Sequence, residues 1–155
     1  MDETFLRRAI DLAGIGGERG DGGPFGAVIV RQGIVIAEAW NRVLIDNDPT
    51  AHAEIVALRA AGAKLKRFHL SDCVLYASSE PCPMCLAAAY WARVERIVFA
   101  NLRREAAAIG FCDAALYEEF RLPAGERRIP SRHLPLPGAD EPLKRWRDNS
   151  EHIPY

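Results

Sequence analysis

Two short motifs thirty residues apart carry side chains that can hold a metal ion: His52-Ala53-Glu54 and Pro81-Cys82-Pro83-Met84-Cys85. One imidazole and two thiols ligate a zinc ion and leave its fourth position open, as in a catalytic zinc site rather than a closed structural one. Cys82 and Cys85 stand three apart and so share one face of a helix. A helix N-terminus at that point favours the thiolate that zinc requires. Bound zinc lowers the pKa of its water from about 15.7 towards about 7. A carboxylate beside that water can take its proton and pass it to a ring nitrogen and then to a leaving amine. Glu54, two residues from a ligand, is the candidate for this shuttle, and the reaction class is hydrolytic removal of an amine from an aromatic amidine. Taken singly the parts are weaker. The PCPMC run alone would serve as half of a structural zinc knuckle, but the chain has no second such pair. Glu54 is four residues from Thr50, whereas a capping box needs three.

The elements that must position these residues follow from hydrophobic spacing. Phe5, Leu6, Ala9, Ile10, Leu12 and Ala13 recur at helical intervals over 3–13, with Gly14, Gly16 and Gly17 expected to end that helix and 14–24 to form a loop. Strands are expected over 25–30 and 34–40, joined as a hairpin through Arg31-Gln32-Gly33. A polar loop over 41–49 leads to a helix over 51–61 that carries His52 and Glu54 and ends at Gly62. Then come a strand over 73–77, a helix over 81–93 with both cysteines at its start, a strand over 96–100 and a short helix over 103–109. Beyond Gly110 a helix over 114–120, an edge strand over 129–134 and a last helix over 141–148 are expected. The order implies a single α/β domain, a three-layer α/β/α sandwich around a central mixed sheet of about five strands.

Composition limits the partners. The 155 residues carry 20 basic and 21 acidic side chains, a formal net charge of −1, which lacks the basic excess of a nucleic-acid binder despite Arg121, Arg127, Arg128 and Arg132. No apolar run reaches membrane-spanning length, and the opening MDETFLRRAIDL is too polar for a signal peptide. Of four cysteines, two stand three apart behind a proline, a metal spacing that points to reduced thiols and a cytoplasmic protein. Of these, Cys73 reads as a buried strand residue and Cys112 as a loop residue.

Through HAE and PCPMC the chain resembles the cytidine deaminase-like superfamily of zinc hydrolases, whose signature these motifs are. Through GGPFGAVIV at 22–30, NDPTAHAE at 47–54, EPCPMCLAAAYWAR at 80–93, GFCDAALYEE at 110–119 and a chain ending in tyrosine, it is similar to the bacterial guanine deaminases. That resemblance implies a cytidine deaminase-like fold with one zinc ion per subunit, and conversion of the purine base guanine to xanthine and ammonia by a hydroxide supplied at the zinc. It also implies roles for residues outside the signature. Asn41 would hold the purine through its side-chain amide, Phe25 would pack on the ring and the backbone amide of Ala53 would touch it. Asp113 would be a second acid that contacts the base and moves protons. The C-terminal helix and tail, 139–155, would be exchanged between the subunits of a homodimer, so that Tyr155 and Trp146 serve the partner's pocket. Trp91 fits substrate contact and core packing equally well. Where family members often have a second aspartate, this chain has Cys112. The alternatives are a tRNA adenosine deaminase, whose middle section resembles residues 41–98, a deaminase of guanosine or another small aminated ring, and a zinc-stabilised module with no catalysis. The last leaves Glu54 unexplained.

Overall fold

The computed structural model describes residues 1–154; the role expected of Tyr155 lies outside the described residues. The first helix, α1, runs over Asp2–Arg19, through the glycines expected to stop it. Acidic Asp2 and Glu3 at its start and Arg19 at its end complement the helix dipole. It ends at Gly20, whose left-handed φ of 72° is what a helix C-terminus of this kind requires. Gly16 is tolerated inside α1 because Trp40 packs where its side chain would be: an added Cβ would lie 2.5 Å from Trp40 Cδ1.

Strands β1 (Gly26–Arg31) and β2 (Ile34–Trp40) form the expected hairpin, with Gln32 and Gly33 both at positive φ as a tight two-residue turn demands. A short helix α2 (Val43–Asp46) interrupts the polar loop. Helix α3 spans Ala53–Leu65 with Gly62 in its interior, and it ends instead on Lys66 in the left-handed region. There follow β3 (Val74–Ser79), α4 (Pro83–Trp91), β4 (Arg96–Asn101), α5 (Arg103–Ala108), α6 (Ala114–Arg121) and α7 (Glu141–Asp148).

The sheet order is β2-β1-β3-β4, with β1 antiparallel to both neighbours and β3 parallel to β4. It is mixed, as expected, but among the described residues it holds four strands rather than about five. The missing strand is 129–134, which is irregular; Pro130 has no N–H to donate and Pro135 follows directly, so the stretch offers a poor ladder.

Alternation along the strands sends side chains to two opposite layers. Val28, Val30 and Tyr76 pack against Ala9 and Leu12 of α1. Ala27, Ile29 and Leu75 pack against Ala53, Ala57, Leu58 and Ala61 of α3 and Ala89 of α4. This is the three-layer α/β/α arrangement. Full burial of a Leu12 or an Ile29 contributes about 1.5–3 kcal/mol each. Among the described residues no helix is long and apolar enough to cross a membrane.

The chain divides into two compact units, Met1–Ala114 and the segment from Ala115 onward. Within the second, Arg128 pairs with Glu119 and Arg121 with Glu118. None of its described residues is buried, and Leu116, Phe120, Ile129, Leu134, Leu136, Leu143, Trp146 and Ile153 are all exposed.

Candidate active site

Two helix N-termini bring the metal-binding side chains together. His52 is the N-cap residue of α3 and Cys82 that of α4, each in an extended conformation that turns the chain into its helix. Pro83, not Pro81, takes the first helical position, where a missing N–H costs nothing. Cys85, one turn in, donates its backbone N–H to Cys82 Sγ at 3.5 Å. His52 Nδ1 lies 3.6 Å from Cys82 Sγ and 3.5 Å from Cys85 Sγ. Zinc bonds of about 2.3 Å to sulfur and about 2.0 Å to nitrogen, at tetrahedral angles, place ligand atoms about 3.5–3.8 Å apart. The donor set therefore fits zinc in type and in spacing, and the three ligand atoms lie within 4.8 Å of one another.

The electrostatics of the triad suit a cation. The hydrogen bond from Cys85, and then His52, pull the Cys82 thiol down to about 4 against the opposing effect of burial. Its hydrogen bond to Cys82 and its burial push the Cys85 thiol up. His52 is raised chiefly by its hydrogen bond to Cys82. Glu54 is only 7% exposed, and burial raises its carboxyl, helped by the charge of Cys82. Asp113, partly buried, is raised by burial and by the same thiolate. Two acids whose carboxyls are raised thus stand beside one metal-binding corner.

Around this corner lies a cleft of about 410 Å³, counting the space open at its mouth. Phe25 and Gly26 at the start of β1, Ser78 and Ser79 at the end of β3, and Phe111 and Asp113 after α5 form its walls, with His52, Glu54 and Cys82 among them. Of the residues singled out in the sequence, His52, Glu54, Cys82, Phe25 and Asp113 line this cleft. Cys85 and Asn41 are not among its lining residues, and both are buried. Asn41 Oδ1 accepts from the backbone N–H groups of Gly23 at 3.2 Å and Val43 at 3.1 Å, so its oxygen shapes the loop and its NH₂ is the group left to meet a ligand. Ala53 occupies the first position of α3, which starts without a side-chain cap, leaving first-turn amides to other acceptors. Trp91 sits at the exposed C-terminal end of α4, away from the cleft-lining residues.

Among the cleft residues given no role from the sequence are Glu80 and Phe111. Glu80, directly before Pro81, accepts from the Arg103 backbone N–H at 3.0 Å and pairs with its guanidinium at 3.2 Å, tying the start of α5 to the metal loop. Phe111 stands edge-on to Phe25, ring centroids 4.8 Å apart. It falls within the GFCDAALYEE stretch, two residues before Asp113, but its type and spacing alone assign it no role.

Known proteins bear on this geometry. Residues 1–101 match the family described as the cytidine and deoxycytidylate deaminase zinc-binding region. The chain is 50% identical over 153 residues to a guanine deaminase of Bacillus subtilis, covering 99% of this chain and 98% of that protein. A crystal structure of guanine deaminase from the same organism superposes with a TM-score of 0.96 at 48% identity, covering 99% and 98% of the two chains. A tRNA-specific adenosine deaminase of Aquifex aeolicus is 34% identical over 144 residues, 93% of this chain and 92% of that one.

Proposed function

Because the chain belongs to the cytidine and deoxycytidylate deaminase family of zinc-binding proteins, we propose that it is a guanine deaminase, hydrolysing guanine to xanthine and ammonia. The observation that carries this is the buried Glu54 carboxylate beside the His52, Cys82 and Cys85 donor set, in a chain half identical to a guanine deaminase along nearly its whole length. A zinc ion held by His52, Cys82 and Cys85 would supply an acidified water at neutral pH. Glu54 would take one proton of that water as its oxygen adds to the ring carbon bearing the amine, and pass it to the adjacent ring nitrogen. It would then take the second proton, from the hydroxyl now on that carbon, and give it to the amine, which leaves as ammonia as the C–N bond breaks. Guanine offers N1–H and its exocyclic amine as adjacent donors, and one carboxylate accepts both; Asp113 is that acceptor. Phe25 packs on the face of the base, the NH₂ of Asn41 donates to its edge, and the Ala53 amide completes the contact.

The finer partners follow from the second unit. Eight exposed large apolar side chains in a segment with no buried described residue favour a covering surface from a second copy, and hence a homodimer that exchanges residues 139–155. Such exchange would bring Trp146 and Tyr155 to a partner's cleft. Reduced cysteines with metal spacing favour a cytoplasmic enzyme of purine breakdown. The Aquifex relative keeps a tRNA adenosine deaminase as the second reading, against which the net charge of −1 weighs.

One variant tests the chemistry. Glu54→Gln is expected to keep stoichiometric zinc and the far-ultraviolet spectrum while losing about 10²–10⁴-fold in ammonia release from guanine. A zinc-loaded variant working at the wild-type rate refutes the role of Glu54. Assay of the wild type on guanine and on a tRNA anticodon stem separates the two readings. Removal of residues 149–155 with no change in turnover refutes the part given to the tail.

A further inference from the structure

The cleft has an aromatic wall that neither the zinc corner nor the proton shuttle uses. Helix α5 ends in a left-handed turn: Gly110, at φ 99°, donates to Ala107 O at 3.0 Å, and Phe111 donates to Ala106 O at 3.0 Å. These two bonds define a helix-terminating motif in which the residue after the glycine folds back over the last turn. Phe111 is that residue, and Ala106, the residue it folds back on, is buried and lines the same cleft. The phenyl ring is thus placed by backbone hydrogen bonds rather than by a floppy loop. It stands perpendicular to Phe25, with centroids 4.8 Å apart. On the far side it reaches Gly23: a Cβ added there would lie 2.9 Å from Phe111 Cζ and 3.0 Å from Phe25 Cε2. Gly23, Phe25 and Phe111 therefore close into a corner with no room for even one more methyl group at position 23.

We propose that Phe111 is a specificity-determining residue, an edge that confines the cleft to a bare planar base and turns away the same base carrying a ribose. The proposal rests on the reading of the protein as a deaminase of a small aminated ring. A flat heterocycle lying on Phe25 meets the perpendicular Phe111 ring at its border. A sugar, three-dimensional and attached at the ring edge, must displace that ring or forgo contact with Phe25. Because Phe111 is 41% exposed, shortening its side chain widens the opening without hollowing the core.

The test compares each free base with its nucleoside, guanine with guanosine, adenine with adenosine and cytosine with cytidine, by ammonia release from the zinc-loaded full chain. The wild type is expected to favour the base of whichever pair it turns over, by 100-fold or more in kcat/KM. Phe111→Ala is expected to narrow that ratio at least tenfold, mainly by raising KM for the base and lowering it for the nucleoside. Phe111→Tyr keeps the ring and is expected to keep the ratio. A merely structural role would lower both substrates alike and shift zinc content, which is measured in parallel. The proposal is overturned by an unchanged ratio in Phe111→Ala, by equal losses on both substrates, or by a wild type that takes nucleoside as readily as base. Turnover of cytosine or adenine in place of guanine would defeat the guanine reading while leaving the base-to-nucleoside ratio as the measure of Phe111.

Discussion

The three glycines of α1 make opposite demands, and replacing two of them tests the path of the helix. Gly14 lies in the exposed interior of α1 with nothing within 4 Å of where a Cβ would stand. Alanine there removes the entropic cost of glycine in a helix and is expected to stabilise the protein by about 0.5–1 kcal/mol. In a chain of this size 1 kcal/mol corresponds to about 2–4 °C in Tm, so Gly14→Ala should melt roughly 1–4 °C higher. At Gly16 the same change sets a Cβ 2.5 Å from Trp40 Cδ1 and 2.7 Å from its Cβ and Cγ, against about 3.5–4.0 Å for carbon atoms in ordinary contact. Trp40 is not free to swing away: its Nε1 donates to Asp21 at 2.8 Å and the Arg19 guanidinium lies over its ring at 5.3 Å. Helix or indole must shift by about 1 Å, an overpacking cost of about 1–3 kcal/mol. Less the helix gain, Gly16→Ala should lose about 0.5–2 kcal/mol, roughly 1–8 °C in Tm. Asn41 follows Trp40 directly, so the same variant is expected to raise KM for guanine. Scanning calorimetry of both variants gives the two signs. A Gly14→Ala protein less stable than wild type, or a Gly16→Ala protein more stable, would mean that α1 does not run through these glycines against Trp40.

Metal removal should silence the enzyme without unfolding it. Cys82 and Cys85 pack with Ile55 in a small cluster apart from the two large cores, so chelation is expected to abolish ammonia release yet preserve the circular dichroism spectrum. Cooperative unfolding on chelation would contradict that separation. A pH effect is expected at the N-terminus of α1. The Arg96 guanidinium, at 2.8 and 2.9 Å, and the Tyr76 hydroxyl, at 2.6 Å, hold the Asp2 carboxyl down to about 2 from an ordinary value near 3.8. A carboxyl lowered by folding stabilises fully above its unfolded value and loses that contribution as pH falls through about 2. The Tm gap between wild type and Asp2→Asn should therefore be constant above about pH 5 and shrink between pH 4 and 2; a gap independent of pH would remove the ion pair from the stability of α1.

The metal-binding part of the candidate site was legible because its residues must be of fixed type at fixed spacing. His52, Glu54, Cys82 and Cys85 are named by coordination and proton chemistry, and their helices by apolar periodicity. Tertiary packing overrode local signals elsewhere. Gly14, Gly16 and Gly17 read as a stop, yet the contact of Gly16 with Trp40 comes from a residue 24 positions away that no window on the chain includes. Gly62 likewise read as an end, while Lys66 took the left-handed cap. The stretch 129–134 looked like a strand by its apolar residues, but Pro130 within it and Pro135 directly after it leave it a poor ladder. Phe111 was invisible as a wall because an aromatic beside a turn has no distinctive spacing; only the turn geometry of Gly110 aims it at Phe25.

That turn carries a consequence for how the chain tolerates change. Phe111 and Asp113 hang from the end of α5, so their bearing is set by the number of residues in that helix more than by their identities. Each residue of helix adds about 100° of rotation and 1.5 Å of rise. Substitutions at exposed Ala107 and Ala108 leave the register intact. One residue inserted or deleted between Arg103 and Ala108 would swing the aromatic wall and the second acid off the cleft together. The segment is permissive to replacement and intolerant of length change.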